Sequence, residues 1–591
     1  MKAFVDFRLK IIKIEMQKTI TVVLLLFIQI SYAQKPLTVF EKSKEQATAT
    51  YEECIEFYTD VSKVYNNIQI KTFGKTDAGY PLQVVVVSND KSIEPTKWKK
   101  EGKVVILVNN GIHPGEPDGI DASMLLVRDI ALKKIQLPQQ VVLVIIPVYN
   151  IGGCLNRNSF SRVNQDGPIA YGFRGNAQNL DLNRDFIKND SRESKEFARI
   201  YHFFEPDIFI DNHVSDGADY QHTMTLLTTQ QSKLGGPIGN FLHTTFEPAI
   251  YKSMAQKNWK MCPYVNFENA NPNKGWIAFY DSPRYSSGYT ALFGTMGFLP
   301  ETHMLKPFAD RVKSTYALMQ SMIEQAGIYA KEIKAKRAAT IEAIKTQKQF
   351  ALQFVVDSTK YDEIEFNGYA AEQKKSAVTG MNRLFYNHEK PFTQQVRLYN
   401  YFKEDKLVAK PKAYIIPQGW HEIIERLKLN NVQLQTLQKD TNILVEAYLI
   451  DSYKTFTKPY EKHYKHYDVS VKKQNQTIRF LKGDVVVFMG QKADRFLVET
   501  LEPTSDDGYF AWNFFDAILQ QKEGYSDYRW EDVAAKFLEN NAALKTTLIA
   551  KKNKDSAFAA NASAQLEFVY KNSPYYEPVH LRYPVFRLPL E

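Results

Sequence analysis

Three short strand-like runs without polar alternation restrict the fold more than any other feature. Residues 104–108 read Val-Val-Ile-Leu-Val, residues 141–147 read Val-Val-Leu-Val-Ile-Ile-Pro, and residues 207–212 have an Ile-Phe-Ile centre between Asp207 and Asp211. A strand with one face in water alternates polar and apolar residues, whereas a strand covered on both faces does not. Amphipathic helix patterns alternate with these runs, at residues 49–66, 119–134 and 191–204. We therefore predict an α/β fold with a mixed, mostly parallel sheet and helices on both faces.

The second half of the chain has a different pattern. Residues 307–350 are rich in Lys, Ala and Glu and are predicted to be helical, and short strand-like runs dominate beyond residue 440. We predict a first domain over residues 34–335, a helical linker over 336–354, and an accessory region over 355–591. The accessory region is expected to be α+β or β-rich, and its function is open.

The N-terminus has the pattern of a secretion signal. Residues 19–30 are apolar, Lys18 precedes them, and Ser31-Tyr32-Ala33 forms a small-x-small cleavage site. The run is shorter than the roughly 20 residues that a membrane-spanning helix needs. Residues 1–33 are therefore predicted to be a signal peptide, with Met16 as an alternative start, and the protein to be periplasmic or secreted. An uncleaved membrane anchor is the alternative; after cleavage we expect no stable membrane insertion.

Composition excludes several classes of protein. Of the 591 residues, 44% are hydrophobic and 24% are charged, which excludes a disordered or collagen-like chain and a polytopic membrane protein. The net charge of +9 includes no block of Lys and Arg, so no nucleic-acid partner is expected. The three cysteines, Cys54, Cys154 and Cys262, form no Cys-x-x-Cys motif. We interpret them as buried or incidental, although an exported chain could join one pair.

A histidine and a glutamate follow the first apolar run. His113 and Glu116 flank a Pro-Gly pair in a tight loop, and imidazole nitrogen and carboxylate oxygen both suit zinc. A second His-x-x-Glu pair, His202 and Glu205, ends a helix pattern next to Pro206, where a solvated face is the simpler interpretation. The position at a strand end therefore favours His113 and Glu116 as metal ligands.

A catalytic zinc needs a third protein ligand and an open position. His213 follows the run at residues 207–212, so it is predicted to lie at the same sheet edge as His113. A core histidine satisfied by hydrogen bonds is the alternative for His213, and His222, nine residues later, is a competing ligand.

Two further segments carry groups that suit peptide chemistry. Asn183 and Arg184 offer an amide and a planar guanidinium, which together can grip a carboxylate. Arg174, nine residues earlier, could polarise a carbonyl group. Glu301 ends the strand-like run 297–301 and could accept a proton from zinc-bound water.

These elements, in this order, resemble the zinc carboxypeptidase family typified by pancreatic carboxypeptidase A. The resemblance covers about residues 49–330 and includes the Gly-Lys-Thr-Asp-Ala-Gly-Tyr-Pro-Leu turn at 74–82 and the His-Pro-Gly-Glu-Pro-Asp-Gly loop. It implies the following roles: zinc ligands His113, Glu116 and His213; carbonyl-polarising Arg174; carboxylate-holding Asn183 and Arg184; general base Glu301.

The family's mobile substrate-capping tyrosine has three candidate matches. Tyr280, Tyr285 and Tyr289 all stand in the right stretch, and we favour Tyr285 for substrate binding; structural packing is the alternative for each. Arg284 is either a specificity or carboxylate contact or a surface charge. His463 and His466, in the accessory region, are interpreted as part of a solvated face.

The resemblance implies an exported zinc metallocarboxypeptidase with one zinc ion per chain. Its substrate is expected to be a peptide with a free C-terminal carboxylate, cut by attack of zinc-activated water. The alternatives are a zinc acylamino-acid hydrolase of the aspartoacylase type, a peptidoglycan-peptide amidohydrolase, and a non-catalytic binding protein.

Overall fold

A computed structural model describes residues 36–265, 267 and 275–590, together with residues 10, 13, 15 and 16. The predicted signal run at residues 19–30 and its cleavage site after Ala33 lie outside the described residues. In the part of the chain that the structure describes, no helix combines the length and apolar character needed to cross a membrane.

The first half of the chain is built around a nine-stranded mixed sheet. Its central strands pair in parallel, antiparallel pairs flank them on both sides, and the edge pair Met224–Thr228 with Cys262–Pro263 is parallel again; helices cover both faces. Across the sheet the order is Ile68–Lys75, Pro81–Val87, Val141–Ile146, Val104–Asn109, Ile208–Asp211, Met296–His303, Met224–Thr228 and Cys262–Pro263, with His213–Ser215 pairing with Met296–His303. The predicted α/β class and mixed sheet are confirmed.

The central strands owe their burial to their uniform apolar composition. Every residue of Val104–Asn109 and Val141–Ile146 is buried, and the two strands run parallel from Val104 opposite Val141. The burial of an unbroken Val, Ile and Leu run on both faces is the main stabilising term of such a sheet.

The helices begin where the sequence supplies caps. Thr50 and Glu53 form a reciprocal capping box at the start of Tyr51–Val64, and the Ser191 side chain accepts from the Ser194 N–H at the start of Arg192–Phe204. The other helices of this half are Val39–Lys42, Pro95–Lys100, Asp118–Ala131, Ile151–Leu155, Leu182–Arg184 (3₁₀), Gln231–Leu234, Gly236–Phe241, Leu242–Phe246 (π), Glu247–Gln256, Ser286–Ala291, Phe308–Ile328 and Ala330–Thr346.

The accessory region consists of β-sheets followed by helices. Its strands are Gln349–Val356, Asp362–Lys375, Asn382–Tyr399, Phe402–Ala409, Ala413–Ile416, Gln435–Thr436, Thr441–Thr455, His466–Phe480, Val485–Phe488 and Phe586–Leu588. Its helices are His421–Leu429, Asp494–Leu501, Asp516–Leu519 (3₁₀), Asp527–Glu539, Ala542–Lys554, Ser556–Ala559 and Ala562–Lys571. The α+β character is confirmed. The prediction that strand-like runs dominate beyond residue 440 is wrong after residue 488, where helices take over.

The accessory region packs against the first half rather than standing apart from it. Leu398 pairs with Trp276 in a short parallel bridge between the two halves. The helix Ala330–Thr346 also packs against the main sheet, where Arg337 forms a buried ion pair with Asp207 at 3.0 Å. The domain limits at residues 335 and 355 stay predictions.

Candidate active site

The carboxyl ends of neighbouring strands bring the predicted metal ligands together. His113 and Glu116 follow the strand Val104–Asn109, and His213 lies just beyond the adjacent parallel strand. Glu301 lies directly opposite His213 in the register of two parallel strands. Residues far apart in the chain therefore meet at one sheet edge, as parallel topology requires.

His113, Glu116 and His213 form a compact buried group, which we call the metal group. One ligand atom from each residue can be chosen so that all lie within 4.8 Å of one another. The two Nδ1 atoms each lie 3.2 Å from an oxygen of Glu116. Nδ1 of His113 is buried and has no hydrogen-bond partner among the described residues. Two imidazoles and one carboxylate with an unsatisfied nitrogen fit a zinc ion, which takes this set of donors.

An aspartate lies beside each imidazole ring, but only one of the two makes a hydrogen bond. Nε2 of His113 is in hydrogen-bond contact with Oδ1 of Asp181 at 2.9 Å, which favours the proton on Nε2 and leaves the Nδ1 lone pair free for a metal. Nε2 of His213 lies 3.3 Å from Oδ2 of Asp211 without a hydrogen bond, and Nδ1 is the nitrogen of His213 in contact with Glu116. Sequence reasoning missed both aspartates, although Asp181 belongs to the Asp-Leu-Asn-Arg motif and Asp211 precedes His213 by two residues.

Glu116 is held as a carboxylate. Burial by itself would raise its pKa, but His113 and Arg162 outweigh burial and hold the pKa well below its usual range. Arg162 Nη2 donates to Oε1 at 2.9 Å, and the Val214 N–H donates to Oε2 at 2.9 Å. Arg162 is a second group that the sequence did not single out.

The pKa of Glu301 is raised, whereas that of Glu116 is lowered. Burial raises its pKa to about 8; His213 partly offsets this increase, while Glu116 and Asp211 add to it. A carboxyl group with such a pKa beside a metal group is suited to taking up and returning a proton near neutral pH. A bound cation would favour the carboxylate form and lower this pKa.

Arg174 contacts Asp181, which in turn contacts His113 of the metal group. Its Nε and Nη2 atoms lie 3.0 and 2.8 Å from Oδ2 of Asp181, while Nη1 lies 3.9 Å from Oε1 of Glu116. The side chain remains 44% exposed, so its charge is accessible at the mouth of the site.

Asn183 and Arg184 lie next to this group, in the 3₁₀ turn Leu182–Arg184. Oδ1 of Asn183 is buried without a hydrogen-bond partner among the described residues. Arg184 lies 4.6 Å from the centre of the Tyr285 ring, and its Nη1 donates to the Asn183 carbonyl at 2.9 Å. The structure thus places Tyr285, our favoured tyrosine, against Arg184. We call Asn183 and Arg184, the two residues predicted to hold the substrate's carboxylate, the carboxylate clamp.

The other two tyrosines have packing roles. The Tyr289 hydroxyl is buried and donates to Oδ1 of Asn430 at 2.6 Å. The Tyr280 ring contacts Phe354 and Phe402 of the accessory region.

Arg284 is neither a free surface charge nor part of the metal group. It pairs with buried Asp507 of the accessory region at 2.8 Å. The two possibilities we considered for Arg284 do not include this structural role, which depends on a residue more than 200 positions away.

The competing histidines bind other partners. Nδ1 of His222 lies 3.0 Å from the Lys260 carbonyl, and Nε2 accepts from the Asn367 N–H at 3.2 Å. Nε2 of His202 lies 3.3 Å from the Tyr289 hydroxyl. His222 therefore has both ring nitrogens occupied by backbone groups and is not available as a ligand in this arrangement.

The interpretation of His463 and His466 as a solvated face is wrong. His463 Nε2 lies 2.7 Å from Oδ2 of Asp190, with its side chain 11% exposed, and His466 is buried. His463 contacts the first half of the chain, whereas His466 contacts Asp516 and Asn513 within the accessory region. Local sequence reveals neither contact.

The comparisons with known proteins point to one family. Residues 55–223 match the model of the zinc carboxypeptidase family. Carboxypeptidase 2 of Trichophyton equinum is 21% identical over 468 residues, covering 74% of this chain and 78% of the relative. Carboxypeptidase 2 of Trichophyton rubrum is 21% identical over 425 residues, covering 69% and 73% of the two chains.

The solved structures that match part of this chain include two bacterial metallo-carboxypeptidases. The protein from Burkholderia cenocepacia has a TM-score of 0.36 and 15% identity, covering 48% of this chain and 70% of its own. The protein from Pseudomonas aeruginosa, in complex with (2-guanidinoethylmercapto)succinic acid, has a TM-score of 0.37 and 13% identity, covering 49% and 70%.

Proposed function

We propose, from the match of residues 55–223 to the zinc carboxypeptidase family model and from the carboxypeptidase relatives, that this peptide hydrolase is exported and releases single residues from the C-termini of peptides. One observation carries the proposal: Asp181 contacts the metal group through His113 and lies 3.9 Å from Arg184 of the predicted carboxylate clamp. A group that binds a chain end so close to a metal group favours cleavage of the last peptide bond.

His113, Glu116 and His213 are the residues that would hold zinc, at about one ion per chain. The ion supplies Lewis-acid activation of water and of the scissile carbonyl. Asp181 keeps the His113 imidazole turned toward the ion, and Arg162 helps to keep Glu116 ionised.

Glu301 moves the proton. Its carboxylate takes a proton from the attacking water as the new carbon–oxygen bond forms. The same carboxyl then gives this proton to the leaving amine as the carbon–nitrogen bond breaks, so that the residue returns to its starting state. Burial strengthens this carboxylate as a proton acceptor, whereas a bound cation acts in the opposite direction.

Arg174 stabilises the charge that develops on the carbonyl oxygen. Its exposed guanidinium is anchored on Asp181 and so needs little reorganisation as the charge appears. Donors of this kind contribute about 3–4 kcal/mol in comparable sites.

Asn183 and Arg184 bind the substrate's terminal carboxylate, and Tyr285 lies over the guanidinium. A bidentate arginine contact adds geometric selection to charge attraction. The enzyme is therefore an exopeptidase: a peptide that lacks the free carboxylate leaves the Arg184 charge unpaired and binds poorly.

A matched pair of peptides tests the clamp. We expect wild-type enzyme to cleave a peptide with a free C-terminus and barely to touch the same peptide with an amidated C-terminus. Arg184→Lys keeps the charge but loses the planar fork, so kcat/KM for the free-acid peptide should fall. Arg192→Lys, at an arginine whose side chain is 64% exposed, is the matched control and should behave like wild type. Equal cleavage of both peptides by wild type would replace the carboxypeptidase proposal with an endopeptidase or amidase.

Export is tested by the N-terminus of the mature protein. We expect material exported from a native host to begin at Gln34, because the small-x-small site ends at Ala33. N-terminal sequencing provides the measurement. A mature protein that retains residues 19–33 would argue against a cleaved, exported enzyme.

A further inference from the structure

The accessory region reaches the proposed carboxylate clamp through one tight turn. Residues 460–463, which we call the Tyr460 turn, are closed by two backbone hydrogen bonds between Tyr460 and His463. Glu461 and Lys462 both have positive φ, of 48° and 74°. Two consecutive left-handed residues are typical of a tight type I′ turn, so the backbone here is closely defined.

Three contacts fix the Tyr460 turn against the first half of the chain. Buried Lys188 donates to the Glu461 carbonyl at 3.3 Å, and His463 pairs at 2.7 Å with Asp190, whose side chain is 5% exposed. The Tyr460 ring stacks on Trp512 with the ring centres 6.0 Å apart. The turn is therefore a fixed wall of the site, anchored by buried charges and by an aromatic contact.

Tyr460 contacts the predicted clamp directly. Nε of Arg184 donates to the Tyr460 hydroxyl oxygen at 3.1 Å. Since Nη1 donates to the Asn183 carbonyl and the Tyr285 ring lies over the guanidinium, three contacts define where Arg184 points. A guanidinium has five N–H donors in a fixed fork, so donors remain for a carboxylate.

Glu461 contacts the support of the metal group. Its Oε2 accepts from the Asp181 N–H at 2.9 Å, across 280 residues of sequence. The side chain of Asp181 in turn contacts His113 through Oδ1 and Arg174 through Oδ2. Tyr460 and Glu461 of the accessory region thus contact both the carboxylate clamp and the aspartate that supports the metal group.

We propose that Tyr460 and Glu461 are positioning residues for the carboxypeptidase reaction. Tyr460 orients the Arg184 guanidinium toward the terminal carboxylate of the peptide. Glu461 holds the backbone N–H of Asp181, whose side chain orients Arg174 and His113. The inference rests on the proposed function, because it assigns Arg184 to the substrate carboxylate. It gives the accessory region a role within the active site.

Tyr460→Phe tests the first half of the proposal, because it removes only the hydroxyl. The readout is the ratio of kcat/KM for a free-acid peptide to that for its amidated form. A hydrogen bond to a charged group is worth about tenfold or more in binding, so we expect this ratio to fall by roughly tenfold. The change should appear in KM for the free-acid peptide, with kcat and zinc content close to wild type.

Tyr464→Phe is the matched control, since Tyr464 lies next to the same turn and is 52% exposed. Its ratio should equal that of wild type. A general structural effect of Tyr460→Phe would lower cleavage of both peptides and leave their ratio unchanged, which would overturn the inference. If wild type itself cuts both peptides equally, the clamp fails and the inference fails with it. A wild-type preference for the free acid that Tyr460→Phe leaves intact overturns the inference alone.

Glu461→Ala and Glu461→Gln test the second half. The alanine variant leaves the Asp181 N–H without its acceptor, whereas glutamine keeps an oxygen in place. We expect Glu461→Ala to lower kcat for the free-acid peptide by roughly tenfold, as for other residues that orient metal ligands. Glu461→Gln should recover most of this loss. Equal kcat values for the two variants, whether impaired or normal, would overturn the role of Glu461 as an acceptor.

Discussion

Glu301→Gln should retain zinc and lose at least about a hundredfold in kcat, the lower range for loss of a general base. Glutamine keeps the shape of the side chain and one acceptor oxygen but cannot take up the proton. Because only the carboxylate form accepts a proton, wild-type kcat should fall as the pH drops through the pKa of Glu301. The residual activity of the variant should lack this fall. The measurements are zinc content and kcat as a function of pH.

The control for this variant is Glu247→Gln. Burial also raises the pKa of Glu247, to about 7, but its side chain accepts from Thr228 and is not part of the metal group. Glu247→Gln should leave kcat near the wild-type value. A Glu301→Gln enzyme with wild-type kcat would assign the proton transfer to another group, even with the metal site intact.

His213→Ala should lose most of the bound zinc and, with it, the activity. Two ligands bind zinc far more weakly than three, and metal affinity depends on every deprotonated donor. Wild-type protein is expected to hold about one zinc ion per chain. The measurement is metal analysis of purified protein, together with thermal unfolding to show that the variant is folded.

His222→Ala and His202→Ala are the controls, and both should keep their zinc. Nitrogens of His222 bind the Lys260 carbonyl and the Asn367 N–H, while His202 contacts Tyr289. A full complement of zinc in folded His213→Ala would place the third ligand elsewhere and contradict the arrangement described here.

Residues that act near strand ends were predictable from the sequence. Residues 104–108 and the Ile-Phe-Ile centre of residues 207–212 show no polar alternation, which predicts strands covered on both faces. Parallel strands of one sheet present their carboxyl ends at the same edge. That rule is enough to predict that His113 and His213 lie together, although 100 positions separate them, and the structure places them in one group.

The partners of those residues were not predictable in the same way. Arg162 lies in a loop with no regular pattern, yet it donates to Glu116 at 2.9 Å. The position of a loop side chain depends on how the loop packs against distant segments, and local periodicity contains no information about this packing.

The accessory region shows the same limit on a larger scale. Its strands were partly visible as apolar runs, but the helices between residues 527 and 571 were missed. The contacts of Tyr460 with Arg184, of Glu461 with Asp181 and of His463 with Asp190 each join positions more than 270 residues apart.

The α/β class, the edge of the sheet that carries chemistry and the candidate zinc ligands could be predicted from local patterns, because uninterrupted apolar runs indicate buried strands and helices between them indicate parallel pairing. Local patterns did not predict which tyrosine contacts Arg184, which aspartate orients the His113 imidazole or which accessory residues border the site. These contacts are made by side chains from separate elements. Their distances are set by how the two halves of the chain pack together, which no local pattern records.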